Sequence, residues 1–255
     1  MKSIDGVEIE IEISDDYVIE DYELRYLTKK NNYFFFRKPP HTEVFCYICS
    51  MMKILRSSIF AGMYIGVAGF GFLTAGIQTQ YGSLFGSILF ALGLMAIVGY
   101  KLKLFTGTAG FIKKNEIGDL LAILLGNIIG CFVTGMLARV SPVADGIQAA
   151  ALNIMSTRIE SGAIGCGLLA IGCGLLMTTA VNFARQKNFI PLLLAVPLFI
   201  VCGFPHCVAD AFYYMSIPFN TWTVDLLWVY LATVLGNAIG CNLYRILLAK
   251  EQYEI

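Results

Sequence analysis

The residues with chemical capacity cluster in two stretches of an otherwise apolar chain. CGFPHCVADAFYY, residues 202–214, holds His206 and Asp210 together with Gly203 and Pro205, and VGYKLKLFTGTAG, residues 98–110, holds Lys101 and Lys103 followed by two glycines. Imidazole takes and gives protons near neutral pH, so His206 can serve proton transfer or anion orientation. A hydrogen-bonded structural histidine at a helix break is the alternative. Asp210, four residues on, can pair with a cation or be structural. The other histidine, His41, lies ahead of the first long apolar run. Cys46 and Cys49 have redox or zinc spacing, but no second pair or histidine cluster completes a metal site. Cys131, Cys166, Cys173, Cys202, Cys207 and Cys241 read as small apolar residues. No phosphate-binding loop, dinucleotide fingerprint or zinc-protease motif is found, so neither metal nor cofactor is expected.

The elements that must position these residues are membrane spans. The 255 residues are 57% hydrophobic and only 14% charged, against about 25% charged in an ordinary soluble domain. Six apolar runs, about 57–77, 82–104, 117–138, 161–184, 189–215 and 223–246, are each long enough to cross a bilayer as a helix of roughly 20 residues. The N-terminus is acidic, with nine acids and four bases in residues 1–36. It lacks the basic-then-apolar pattern of a cleavable signal peptide. Its VEIEIEI alternates with a strand-like period of two. Formal net charge is zero, so no basic field for nucleic acid exists. The expected division is a polar cytoplasmic segment 1–53, a six-helix domain 54–250 and a short tail 251–255.

Arg37, Lys38, Lys53, Arg56, Lys113, Lys114, Arg185, Lys187, Arg245 and Lys250 fall on one side of the membrane if the N-terminus is cytoplasmic, and only Arg139 and Arg158 on the other. Ten against two places both termini in the cytoplasm of a multi-pass cell-membrane protein.

The phrase GNIIGC at 126–131 returns as GNAIGC at 236–241, in spans three and six. An odd offset gives the two halves opposite orientations, so the chain reads as two inverted three-helix repeats. The interruptions in spans two and five occupy equivalent places in the repeats, and such paired breaks mark a binding site near the midplane. Gly126/Gly130, Gly236/Gly240, Gly62/Gly66 and Gly82/Gly86 have the four-residue spacing that lets helices approach closely in lipid. Asn127 and Asn237 then read as inter-helix hydrogen-bond struts rather than ligands.

Four motifs, one of them repeated, carry a family resemblance: AGMYIGVAGF in span one, LFTG in span two, GN-x-IG in spans three and six, and GF-x-H-x-VAD-x-FY in span five. From about residue 57 to 248 the chain resembles the formate/nitrite transporter family. The resemblance implies an all-α membrane protein of six helices in two inverted repeats, aquaporin-like, with helices two and five broken. It implies a homopentamer in the lipid bilayer whose protomers each conduct small monovalent anions or their acids. It makes His206 the central pore histidine, faced by a loop of Leu104, Phe105 and Thr106, with Thr106 its hydroxyl partner. Phe90, Leu94 and Phe199 fall at pore constrictions; core packing is the alternative for each.

The chain departs from the family pattern. Asn153 stands at the usual vestibule lysine, Pro205 at the glutamate before the histidine, Leu169 at the span-four asparagine and Lys103 at the residue before LFTG. Loss of lysine and glutamate together points to neutral replacement of an ion pair, because losing one alone strands a buried charge. The expected function is a channel or transporter for weak-acid anions, formate first, crossing with a proton past His206. Nitrite and hydrosulfide are rivals within the fold. An intramembrane hydrolase or acyltransferase using Thr106, His206 and Asp210 is the rival of another class, and the paired breaks argue against it.

Overall fold

The structure, a computed structural model, describes residues 2–4, 7–9, 27–30, 33–36, 40–111 and 116–247, with side chains from residue 50 onward. Arg37, Lys38, Lys113, Lys114, Lys250 and the tail 251–255 lie outside the described residues, as do the side chains of His41, Cys46 and Cys49. Two compact units divide the chain at Ser50 and Met51. In the first, β1 (Lys2–Ile4) pairs antiparallel with β2 (Val7–Ile9), and β3 (Leu27–Lys30) with β4 (Tyr33–Phe36). The strand-like alternation of VEIEIEI thus meets a β-strand over its first three residues.

From Pro40 onward the described residues are helical or in short connections. Helices α1 (Pro40–Gln78), α2 (Gly82–Gly99), α4 (Ile117–Arg139), α5 (Ala144–Arg185) and α8 (Val224–Leu247) each contain a stretch long and apolar enough to cross a membrane, which in α1 is Ser50–Gln78. Helices α3 (Phe105–Thr108), α6 (Ile190–Val201) and α7 (Cys207–Ser216) are too short to do so. The expected fifth span is α6 and α7 with a break between them, and the second span is α2 followed, after a break, by α3. Large apolar side chains such as Leu84, Ile164, Leu194 and Trp228 are more than half exposed, an outer surface suited to lipid rather than water.

Both breaks use one backbone device. After α2, Lys101 adopts φ 54°, its N–H donates to the Val98 carbonyl (3.1 Å), and the Leu102 N–H reaches back to Ile97 (2.9 Å). After α6, Gly203 adopts φ 67°, its N–H donates to Ile200 (3.0 Å), and the Phe204 N–H reaches back to Phe199 (2.9 Å). Each is a Schellman cap, which satisfies the last carbonyls of a helix by turning one residue left-handed. The next residues, Leu104 and His206, are extended (φ −102°, ψ 137° and φ −118°, ψ 111°) and start α3 and α7. The two breaks therefore correspond residue by residue, Leu104 with His206.

Helix α5 differs from expectation. The apolar run alone starts the fourth span at about 161. Instead a helix begins at Ala144 and runs into the span through a kink at Gly162, which has φ 70° and ψ 169°. Ile147, Ala151 and Met155 are buried, and their four-residue spacing is the apolar stripe that marks such a helix in sequence.

Arginines tie down the free ends of the short helices. Arg139, at the end of α4, donates through Nε to the Met215 carbonyl (3.0 Å) and through Nη2 to the Ile217 carbonyl, with its guanidinium 4.1 Å from the Phe219 ring centre. Arg185, at the end of α5, donates to the Gly107 carbonyl (3.3 Å) and lies 3.9 Å over Phe111.

Candidate functional site

The site begins with the two asparagines, because they fix where the broken helices meet. The Phe105 N–H donates to Asn127 Oδ1 (2.8 Å), while Asn127 Nδ2 donates to the carbonyls of Ser58 (2.7 Å) and Lys103 (3.0 Å). The Cys207 N–H donates to Asn237 Oδ1 (2.8 Å), while Asn237 Nδ2 donates to the carbonyls of Ala170 (2.9 Å) and Pro205 (3.0 Å). Each amide thus links the carbonyl two residues before a short helix, that helix's first N–H and a neighbouring long helix. Both asparagines are fully buried. Two cysteines repeat the correspondence, Cys131 Sγ donating to Val208 (3.3 Å) and Cys241 Sγ to Thr106 (3.2 Å). Close helix approach accompanies these bonds. A Cβ on Gly62 would overlap the Asn127 carbonyl, and one on Gly174 the Asn237 carbonyl.

This scaffold brings Thr106 and His206 together. Thr106 Oγ1 and His206 Nε2 are 2.9 Å apart, and both residues are buried. The Ala209 N–H donates to His206 Nδ1 (3.1 Å), capping α7. A backbone N–H can only donate, so Nδ1 is the lone-pair nitrogen and the neutral ring carries its hydrogen on Nε2. Nε2 therefore donates to Thr106, whose own hydroxyl hydrogen is left to point elsewhere. Leu104 and Phe105 are buried beside Thr106.

One face of His206 opens on a cavity of about 200 Å³ lined by Asn153, Thr157, Arg158, Phe199, Phe204, Asp210 and Tyr213 among others. Phe199 stacks on the imidazole (ring centres 5.7 Å apart, 27° between planes) and meets Phe90 edge-on (6.1 Å, 86°). Leu94 is buried one turn beyond Phe90 on α2. Phe90 and Phe199 thus touch each other, and Phe199 lines the cavity. Leu169 is 39% exposed on α5 and does not line the cavity.

The same cavity holds an ion pair between residues other than Asn153 and Pro205. Arg158 Nε lies 3.6 Å from Asp210 Oδ2, and Arg158 Nη1 donates to the Gly203 carbonyl (2.7 Å). The two residues sit on α5 and α7, 52 positions apart, so local spacing could not join them. In the sequence Arg158 reads only as one of two basic residues on the far side of the membrane, and the apolar stripe of Ile147, Ala151 and Met155 is the signal that a packed helix carries it. Among the described residues no group of three or more His, Cys, Asp or Glu could hold a metal ion.

Solved structures share this fold. One described as a pentameric formate channel with formate bound is matched with a TM-score of 0.65 and 21% identity, over 77% of this chain and 94% of the other. A second, an FNT family ion channel, is matched with a TM-score of 0.63 and 20% identity, over 76% of this chain and 87% of the other. A comparison with curated proteins finds no match. The sequence profile of the formate/nitrite transporter family matches residues 46–249, and the chain, with its paired broken helices meeting at a buried histidine, belongs to that family.

Proposed function

We propose that this multi-pass membrane protein, a channel for small anions by its family, conducts formate together with a proton past His206 and Thr106. The observation that carries the reading is the buried 2.9 Å contact between these side chains where the two broken spans meet. It is the polar point of an apolar path. A naked anion at the bilayer centre costs at least a few kcal/mol, whereas a neutral acid avoids much of that.

The hydrogen bonds support one division of roles. With Nδ1 engaged by the Ala209 N–H, His206 donates to Thr106 and polarises its hydroxyl toward the anion. Neutral imidazole is not an acid near neutral pH, and the imidazolium would have to give up the Ala209 bond. His206 therefore orients the anion, and the proton arrives separately. The acid then passes the Phe90–Phe199 contact on one side and Leu94 on the other.

Ten basic residues against two support cytoplasmic termini. The pentameric assembly of one matched structure and the wide apolar exterior of a single chain support a homopentamer in lipid. Family membership makes the chain a transport protein rather than a hydrolase or acyltransferase.

The test is formate uptake into proteoliposomes at stepped external pH, with nitrite and hydrosulfide as competitors. Uptake that falls as pH rises supports the proton-linked path, and the better competitor ranks the cargo. Absence of uptake by folded, inserted protein defeats it.

A further inference from the structure

The carboxyl group of Asp210 is in an unusual position for a buried charge. It is 1% exposed, and neither oxygen accepts a hydrogen bond. Its counter-charge, Arg158, is held at 3.6 Å, too far for a hydrogen bond. Arg158 in turn leaves its buried Nε without a hydrogen-bond partner. A buried ion pair contributes little unless such bonds complete it, so this contact is loose by construction. The guanidinium is anchored instead by the Gly203 carbonyl, at the turn that precedes His206. Both residues line the same cavity as His206.

A planar anion entering that cavity meets a guanidinium whose fork matches two oxygens of a carboxylate or nitrite. Once the anion has taken the guanidinium, Asp210 loses its counter-charge. A buried carboxylate without partner or hydrogen bond is too costly to persist, and it neutralises by binding a proton. The other groups within electrostatic reach do not replace the lost charge. They are Cys166 and Cys173 on α5, Tyr213, Tyr214 and Cys207 on α7, Tyr230 on α8, and His206 in the cavity lining, the last neutral in its bonded tautomer.

We propose that Arg158 and Asp210 form an exchange site in which an incoming carboxylate-type anion displaces Asp210 from Arg158 and Asp210 takes up one proton in its place. The balance is simple. One proton from cavity water converts the Asp210 carboxylate to the acid, one anion pairs with Arg158, and the net charge of the site is unchanged. The anion and its proton are then both present within the cavity above His206. When the pair re-forms, the proton leaves with the anion as the neutral acid. This inference rests on the proposed anion pathway and supplies the proton that His206, in its bonded tautomer, does not.

The experiment uses the full-length protein in detergent with formate as probe. Formate is added near neutral pH in weakly buffered solution, and proton uptake is read with an indicator dye beside calorimetric binding. About one proton taken up per formate bound is expected. In Asp210→Asn, formate binds without proton uptake, and reconstituted flux loses its dependence on pH. An infrared difference spectrum of the native protein gives a check that needs no variant. It should show a protonated carboxylic acid band that does not shift when the formate carbon is isotopically labelled. Formate binding without proton uptake, or uptake that persists in folded Asp210→Asn, overturns the exchange site while leaving the transport reading intact. Failure of the native protein both to bind and to transport formate or nitrite overturns the transport reading and this inference with it.

Discussion

Asn127 and Asn237 make the same three hydrogen bonds to corresponding backbone groups in the two halves of the chain, to Ser58, Lys103 and Phe105 in one and to Ala170, Pro205 and Cys207 in the other. Those groups sit at helix breaks inside a unit that faces lipid, where no water can replace a lost partner. Leaving one buried backbone group unsatisfied costs about 1–3 kcal/mol. Asn127→Ala and Asn237→Ala are therefore expected to destabilise the detergent-solubilised protein by similar amounts, about 3 kcal/mol each. Thermal unfolding followed by size-exclusion chromatography reads this. If either variant kept the native Tm, the struts would be dispensable and the correspondence only geometric.

The two Schellman caps differ in one residue type. The left-handed position is Gly203 in one half and Lys101 in the other. A side chain there costs roughly 1–2 kcal/mol, which glycine avoids. Lys101→Gly is expected to raise stability by up to about 1 kcal/mol, and Gly203→Ala to lower it by about the same. Equal Tm values for both variants and the native protein would show that neither cap carries strain.

For the His206–Thr106 contact, the pattern across variants separates orientation from packing. Thr106→Ser keeps the hydroxyl, whereas Thr106→Val keeps the shape and removes it. Losing one hydrogen bond to a developing or bound charge lowers a rate by about tenfold or more. Formate flux in proteoliposomes is expected near native in Thr106→Ser, and at least about tenfold lower in Thr106→Val and His206→Phe. Native pH-dependent flux in His206→Phe would remove the histidine from the pathway.

Much of this architecture could be read from the chain because its signals are repeated. GN-x-IGC occurs twice, and both breaks carry residues that a continuous membrane helix avoids. Lys101 and Gly203 gave no sign of being equivalent, since one is a charged residue and the other glycine, and their likeness lies in backbone φ. Thr106 facing His206 came from resemblance, as 100 residues separate them and no local period joins such positions. The pairing of Arg158 with Asp210 was hidden for the same reason, and because the helix before Gly162 lies in a stretch too polar to be taken as a span. Leu169, at the position of the family's span-four asparagine, is exposed and does not line the cavity.

The edge-on contact of Phe90 with Phe199 predicts a size filter. Both rings are buried, and Phe199 also stacks on His206, so the apolar contact lies against the polar point of the path. Trimming Phe90 leaves that stacking in place and widens only the gap beyond it. Phe90→Leu is a modest volume change that cores tolerate at about 1 kcal/mol, whereas alanine there would remove about 3–5 kcal/mol of stability. Discrimination by one missing carbon unit in an apolar slot is about tenfold or more. Phe90→Leu should therefore keep formate flux and reduce the formate-over-acetate ratio by about tenfold, measured as paired uptake in the same proteoliposomes. A ratio unchanged in a folded Phe90→Leu protein would place the filter elsewhere, with Leu94 the next position to vary.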